Sequence, residues 1–519
     1  MWKKCFCFLI VLFSSLSLFA FPLYLRRVVV GDIIVGEKEA QLVFREKNTN
    51  YVLKSCIDLQ GGSLYLPAKA KISFCGGSIR NGNIYFNKTL LKDANFEQML
   101  SYNGNILNKD FDLSNYGSVN DDSLLRFIFS QLQNNSNVYF ESRKYLVKSY
   151  DNMQVPLQDS CYIRVRNITN IHIHGKGATI SDDIDQGHLG RRLYNFLCFE
   201  SCKNVVIDSL SYQPNSLPDL GDYVKGVNFL RILGECSSFT INIKTKNCAR
   251  GVYAGSWNNV SGHPKKGLCN SSLNIFAQYV GYPIQIEKGT NLNIVNKFDM
   301  VHRGTYLAGV TNSKVYVEGK NVVTTKIHLL LTDTMDADGW YYCDNIDATV
   351  IDTGTDVNDL AKMVFCQIYS QDYTQFAGRP PYNVKNLSFH VYTPADSNTS
   401  YEIFDIRDNA QVGDRICATI DGELKHKGTN DRLFRILNLT KGEIVFNNLD
   451  AAHNTIAYTG DFPDDCHLVL NNCSNVYFDW GSQQRPTDGL IEFNNCTFIN
   501  KPTRFDKSKT GNYVRVKSN

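Results

Sequence analysis

Residues 116 to 180 constrain the fold of this chain more than any other stretch. A turn-rich opener, Tyr116-Gly117-Ser118-Val119-Asn120-Asp121-Asp122, leads into Leu124, Leu125, Ile128 and Leu132. Those four apolar residues fall at helical spacing, behind the capping candidates Asp122 and Ser123. The pattern predicts a helix over 122–133. Val138-Tyr139-Phe140-Glu141-Ser142-Arg143-Lys144-Tyr145-Leu146-Val147 follows, and reads as two short strands around a turn. The stretch closes with Ile171-His172-Ile173-His174-Gly175-Lys176-Gly177-Ala178-Thr179-Ile180. This order suits a stack of parallel strands. Such a stack has an open end, and an amphipathic helix covers its unpaired edge.

A short pattern recurs downstream. It appears as Cys202-Lys203-Asn204-Val205-Val206-Ile207, Cys236-Ser237-Ser238-Phe239-Thr240-Ile241, Cys343-Asp344-Asn345-Ile346-Asp347-Ala348 and Cys473-Ser474-Asn475-Val476-Tyr477-Phe478, with a looser copy at Gly289-Thr290-Asn291-Leu292-Asn293-Ile294. Each copy is a small residue or Cys, a spacer, Asn or Ser, then an alternating strand. Asn tolerates left-handed backbone angles and bonds locally, so it marks the turn. Stacked copies would align the Asn amides into a ladder. Asn204, Asn291, Asn345 and Asn475 are therefore expected at equivalent turns of a repeat fold.

The opener and the strands behind it resemble the start of pectate-lyase-superfamily domains, including tailspike-like and exported carbohydrate-active proteins. Glu141 and Arg143 stand where those proteins usually carry a Pro and a Gly. The resemblance spans about 111–500. It implies an all-β chain, a right-handed single-stranded parallel β-helix (solenoid) with an N-terminal capping helix. Ahead of it, Leu59-Gln60-Gly61-Gly62-Ser63-Leu64-Tyr65-Leu66-Pro67 and Ile72-Ser73-Phe74-Cys75-Gly76-Gly77-Ser78-Ile79 share Gly-Gly-Ser before a strand. Gly pairs mark tight turns. This block, 21–110, reads as β-rich chain packed on the solenoid, or as a separate small β-domain.

Lys3 and Lys4 precede an uncharged run from Cys5 to Leu25, as in an export signal. Cleavage after Leu18-Phe19-Ala20 would remove 1–20, and Ser14, Ser15, Ser17 and Pro22 dilute the run. An uncleaved membrane anchor is the competing reading. The expected organisation is thus a signal at 1–20, the β-rich block, the solenoid over 111–500 and a tail at 501–519. The expected location is secreted, periplasmic or cell-surface.

Sixteen cysteines in an exported chain raise the question of disulfides. Two lie in the signal, at Cys5 and Cys7, leaving fourteen. A chain this long buries a core without staples. Several cysteines share one repeat position, so Cys202, Cys236 and Cys343 are expected as an inward stack of thiols. The formal charge of +3 includes both signal lysines and gives no global pull toward nucleic acid. The expected partner is a polysaccharide or surface glycan.

The chemistry is less legible. Polygalacturonase-type hydrolases carry Asn-Thr-Asp, Asp-Asp, Gly-His-Gly and Arg-Ile-Lys segments, and this set is missing. Asp182-Asp183 and Gly187-His188 are isolated fragments. The densest acid cluster, Asp333-Thr334-Met335-Asp336-Ala337-Asp338-Gly339, departs from a helical calcium loop at Thr334 and Asn345. It leaves open a looser oxygen-ligand Ca²⁺ site, and no other cofactor is expected. Asp299-Met300-Val301-His302-Arg303-Gly304-Thr305-Tyr306 offers an acid, an imidazole, a guanidinium and a phenol within one segment. His302 and Tyr306 could act as base and acid in β-elimination of an acidic sugar, with Arg303 neutralising its carboxylate. The alternative is that these side chains only bond neighbouring strands. Stacked strands bring the two segments close, so His302, Arg303, Tyr306, Asp333, Asp336 and Asp338 are the candidate catalytic residues. Trp340 and Tyr341 are the candidate stacking platforms. Two functions stay open: a lyase or glycoside hydrolase, and a non-catalytic adhesin or structural protein.

Overall fold

The computed structural model describes residues 26–97, 99–148, 161–183, 193–218, 220, 226–255, 267–323, 327–336, 339–354, 363–369, 383–393, 401–407, 415–424, 432–437, 441–450, 455–457, 465–479, 490–499 and 514–517. The expected signal lies outside them, as does the C-terminal tail apart from Val514–Lys517. Nearly all the strands pair in parallel, within large sheets. Among the described residues no helix is long and apolar enough to cross a membrane. The chain forms two compact units, one ending at Glu141 and the other starting at Ser142.

In the first unit Val28, Tyr51, Ile72 and Leu91 lie side by side on successive parallel strands. The two Gly-Gly-Ser motifs open the strands Ser63–Tyr65 and Ser78–Arg80. Their glycines divide the work. Gly61 and Gly76 take left-handed angles, φ 83° and 88°. Gly62 and Gly77 allow close approach: a Cβ there would lie 2.5 Å from Glu37 Cβ and 2.6 Å from the Ser55 carbonyl. The helix is Asp121–Ser130. Its cap is Asn120, whose side chain accepts from the Ser123 N–H at 2.7 Å. This is two or three residues ahead of the expected caps, because Asp122 and Ser123 already lie inside the helix. The apolar face buries Leu124, Leu125, Phe127 and Ile128. The Phe127 ring centroid stacks 5.7 Å from Phe86 and 5.3 Å from Tyr102. The helix thus packs on strands of the first unit.

In the second unit residues 21 to 41 positions apart become neighbours, as in Ile284 beside Thr305 and Ile346 beside Leu387, and the Asn positions show why. Asn204 donates to Asn170 at 2.8 Å, Asn291 to Asn270 at 3.0 Å and Asn345 to Asn312 at 2.7 Å, at separations of 34, 21 and 33 residues. Asn472 and Asn495 continue the pattern, each donating to the Asn of the strand before. Asn204, Asn291, Asn345 and Asn475 all have left-handed φ, between 52° and 56°. Asn475 departs from the pure ladder by donating to Asp450 at 2.7 Å. One side-chain type thus supplies both the turn and the bond that links layers.

Behind each turn the strand alternates. In Lys203–Tyr212, Val205, Ile207, Leu210 and Tyr212 point inward and are buried. The Tyr212 and Phe229 rings stack at 4.7 Å with 1° between their planes. Cys202, Cys236, Cys343 and Cys473 are buried, free thiols. Each Sγ points at a carbonyl of the strand before, for example Cys343 at Leu307 O, 3.5 Å away. Other strands are covered on both faces. Ile327–Thr332 is buried throughout, and Gly226–Leu233 at all but its last residue.

Candidate functional site

Three strands of the second unit build one polar face. Gly226–Leu233, Cys236–Ala254 and Leu268–Val301 set Asn228 beside Arg250 beside Tyr282, and Arg231 beside Tyr253 beside Gln285. The next strand, Thr305–Val322, adds Tyr306 beside Gln285. Arg231, Tyr253 and Gln285 alternate with the core column Leu230, Val252 and Ile284, whereas Asn228, Arg250 and Tyr282 stand two residues before that column, so alternation alone does not bring the two sets together.

The side chains form one network. Arg231 lies with its guanidinium carbon 3.6 Å from the Tyr253 ring centroid, and Arg250 lies 5.0 Å from the same centroid. The Arg250 Nε donates to Gln285 Oε1 at 2.5 Å, and its Nη1 to Asn228 Oδ1 at 3.4 Å. Gln285 Nε2 and the Tyr253 hydroxyl both donate to Glu287 Oε1, at 3.0 and 3.2 Å. Asn228 in turn donates to Asn195 at 2.9 Å. All of these residues are buried, Arg231 to 1% exposure and Arg250 to 5%. Burial holds the Arg250 guanidinium below its ordinary pKa, with Arg231 adding repulsion and Tyr253, Tyr282 and Glu287 opposing. Burial first, and then the Glu287 charge, push the Tyr253 phenol well above its ordinary value. Tyr253 is therefore a hydrogen-bond donor throughout the physiological range.

A half-buried rim adjoins this network. Arg303 lies 5.7 Å from the Tyr282 ring centroid and 5.9 Å from that of Tyr306. The two tyrosine rings meet edge to face at 6.3 Å. Arg250 sits 5.1 Å from the other side of the set, at the Tyr282 centroid. Guanidiniums over aromatic faces next to amide donors make a surface suited to a carboxylate or sulfate on a ring-shaped ligand.

The expected site residues fall in different settings. Arg303 and Tyr306 belong to the rim. His302 is buried at 1% exposure and is not part of the exposed rim. Its Nδ1–H donates to the Leu220 carbonyl at 3.0 Å, and its ring centroid lies 5.2 Å from Tyr282. The chain bends between the strands Leu268–Val301 and Thr305–Val322, so simple alternation does not carry through Gly304. A Cβ at Gly304 would lie 2.1 Å from the His328 carbonyl oxygen, which fixes glycine there.

Asp333 is also buried, and Thr332 Oγ1 donates to it at 3.3 Å. The register explains its distance from the rim. Tyr306 pairs with Leu330, so Asp333 lies three residues, about 10 Å, further along the strand direction. Asp336 ends the strand Thr334–Asp336, which pairs antiparallel with Gly339–Tyr341. Asp338 lies outside the described residues. Trp340 and Tyr341 are half-buried, and Lys288 Nζ covers the Tyr341 ring at 3.7 Å.

Arg231, Arg250, Tyr253, Tyr282, Gln285 and Glu287 are absent from the sequence expectations. Their signal was present but faint. Val227-Asn228-Phe229-Leu230-Arg231-Ile232-Leu233 sets a cation at an alternate position of an otherwise apolar strand, which a solvent-facing reading treats as ordinary. No family model and no curated protein matches this sequence.

Proposed function

We propose that this chain is an exported right-handed parallel β-helix protein that binds an acidic polysaccharide at the Arg–Tyr face. The parallel pairing, the repeat separations of 21 to 41 residues and the Asn-turn ladder support the β-helix reading. The uncharged run behind Lys3 and Lys4 supports export.

One observation carries the ligand class. Arg231, Arg250 and Arg303 line up over the rings of Tyr253, Tyr282 and Tyr306. The half-buried Tyr282, Arg303 and Tyr306 offer the point of contact, and the buried arginines supply the field behind it. Binding is favoured over cleavage. Hydrolysis by the usual route needs two carboxyl groups flanking the bond, whereas the charged groups set against the tyrosine rings are guanidiniums.

The test is a glycan array probed with the full chain, spanning uronate-containing, sulfated and neutral polysaccharides. Binding confined to acidic glycans, weakened by salt and by Arg303→Ala, is the expected result. Preference for neutral glycans, or binding indifferent to Arg303→Ala, would overturn the proposal. Unsaturated uronate ends appearing during incubation would reassign the site to a lyase.

A further inference from the structure

Away from the Arg–Tyr face, His172 and His174 project from one side of the strand Thr169–His174, between the buried Ile171 and Ile173. The paired strand Lys203–Tyr212 places Asp208 directly beside His174. The two imidazole rings lie 3.5 Å apart, centroid to centroid, tilted by 33°. Both converge on one carboxylate oxygen. His172 Nε2 is 2.7 Å from Asp208 Oδ2, and His174 Nδ1 is 3.6 Å from it. The three potential ligand atoms all lie within 4.8 Å of one another.

We infer that His172, His174 and Asp208 form a site for a divalent transition-metal ion, distinct from the proposed glycan face. A zinc ion with bonds of about 2.0–2.1 Å holds tetrahedral ligands about 3.3 Å apart, close to the separations found here. Two imidazoles with one carboxylate suit zinc, cobalt, manganese or iron better than calcium or magnesium, which take mostly oxygen ligands. The three side chains are 25% to 39% exposed, so one side of the set stays open for water or an exogenous ligand.

The backbone is built for this closeness. Gly175 N–H donates to the Asp208 carbonyl at 2.8 Å, and a Cβ at Gly175 would sit 2.5 Å from that oxygen. Glycine directly after His174 therefore lets the two strands bring the ligands together. Other histidines of the second unit show a different chemistry. His390 contacts both Asp347 and Asp421, and His467 both Glu443 and Glu492. Each is one imidazole between two carboxylates, an ion pair that needs a proton. At Asp208 two imidazoles share one carboxylate, which is the arrangement a metal ion favours.

The experiment is titration of the full, reduced, metal-free chain with Co²⁺, read by its visible absorption, then displacement by Zn²⁺. One equivalent should bind with nitrogen–oxygen spectra and without a thiolate charge-transfer band. His174→Gln and Asp208→Asn should each weaken binding by about tenfold or more, while His390→Gln leaves it unchanged. Asp208→Asn keeps the size and hydrogen-bonding capacity of the side chain, and its thermal melt checks that the fold persists. Should it fail to fold, His172→Gln supplies the same reading. The inference is overturned if the wild type binds no Co²⁺, if a thiolate band accompanies binding, or if the folded variants bind like wild type.

Discussion

Glu287→Gln should destabilise the protein more than Arg250→Met, although the arginine is the larger side chain with more contacts. Among the described residues over Tyr253, two guanidiniums face one carboxylate. Removing the carboxylate takes away a negative charge that opposes the repulsion between Arg231 and Arg250. Leaving a buried charge without its partner costs about 3–5 kcal/mol. Removing Arg250 instead relieves the repulsion from Arg231 that already lowers its pKa. What is lost is one short bond, to Gln285, and one long contact, to Asn228 at 3.4 Å, and the one acceptor that loses a short bond costs about 1–3 kcal/mol. Methionine keeps most of the apolar stem, so no large cavity term is added. The double variant should be less destabilised than the sum of the singles, because the repulsion that Glu287 opposes is then gone as well. Equilibrium urea unfolding of the four proteins measures all three quantities. Arg250→Met proving as costly as Glu287→Gln, or strict additivity, would refute this electrostatic account. A polyanion should also recover part of the stability lost in Glu287→Gln, by supplying the missing negative charge.

Three further outcomes are expected. At Asn345, with φ 52° and a 2.7 Å bond to Asn312, replacement by Gly removes only the amide and should cost about 1 kcal/mol; Ala adds a left-handed penalty of about 1–2 kcal/mol, so equal losses in denaturant titration would deny the turn a conformational role. The neighbouring Cys473 thiol holds the Cys496 pKa down, to about 7, while Cys473 itself is pushed up by Cys496 and by burial. Cys496 alkylation should therefore rise through neutral pH, with the thiolate present above about 7 and lost below it, and Cys473→Ala should move that midpoint upward. Gly304→Ala should prevent folding or cost several kcal/mol, since its Cβ would sit 2.1 Å from a backbone oxygen; a soluble variant with wild-type thermal stability would contradict the close approach.

The turns and the inward faces were legible because they depend on local chemistry. Asn at a left-handed position before an alternating strand is a signal carried by a few neighbouring residues, so Asn204, Asn291, Asn345 and Asn475 could be matched by eye. The Gly-Gly-Ser pairs and the helix near 122–133 were readable for the same reason, down to a cap misplaced by two or three residues. The Arg–Tyr face was not local. Arg231, Arg250 and Gln285 are brought together by the register between strands, and no spacing rule in one dimension predicts irregular layer lengths. The same cause undid the expected meeting of His302 with Asp333. A bend before Gly304 turned the imidazole toward Leu220, and pairing Tyr306 with Leu330 carried the acid past the rim. His172 and His174 were visible as alternate residues of one strand, but Asp208 became their neighbour only when His174 found it across the sheet. Composition and alternation determine which side of a strand a residue occupies. Which residue of the next layer it meets is set by how many residues each layer takes, and that is decided by packing the whole stack.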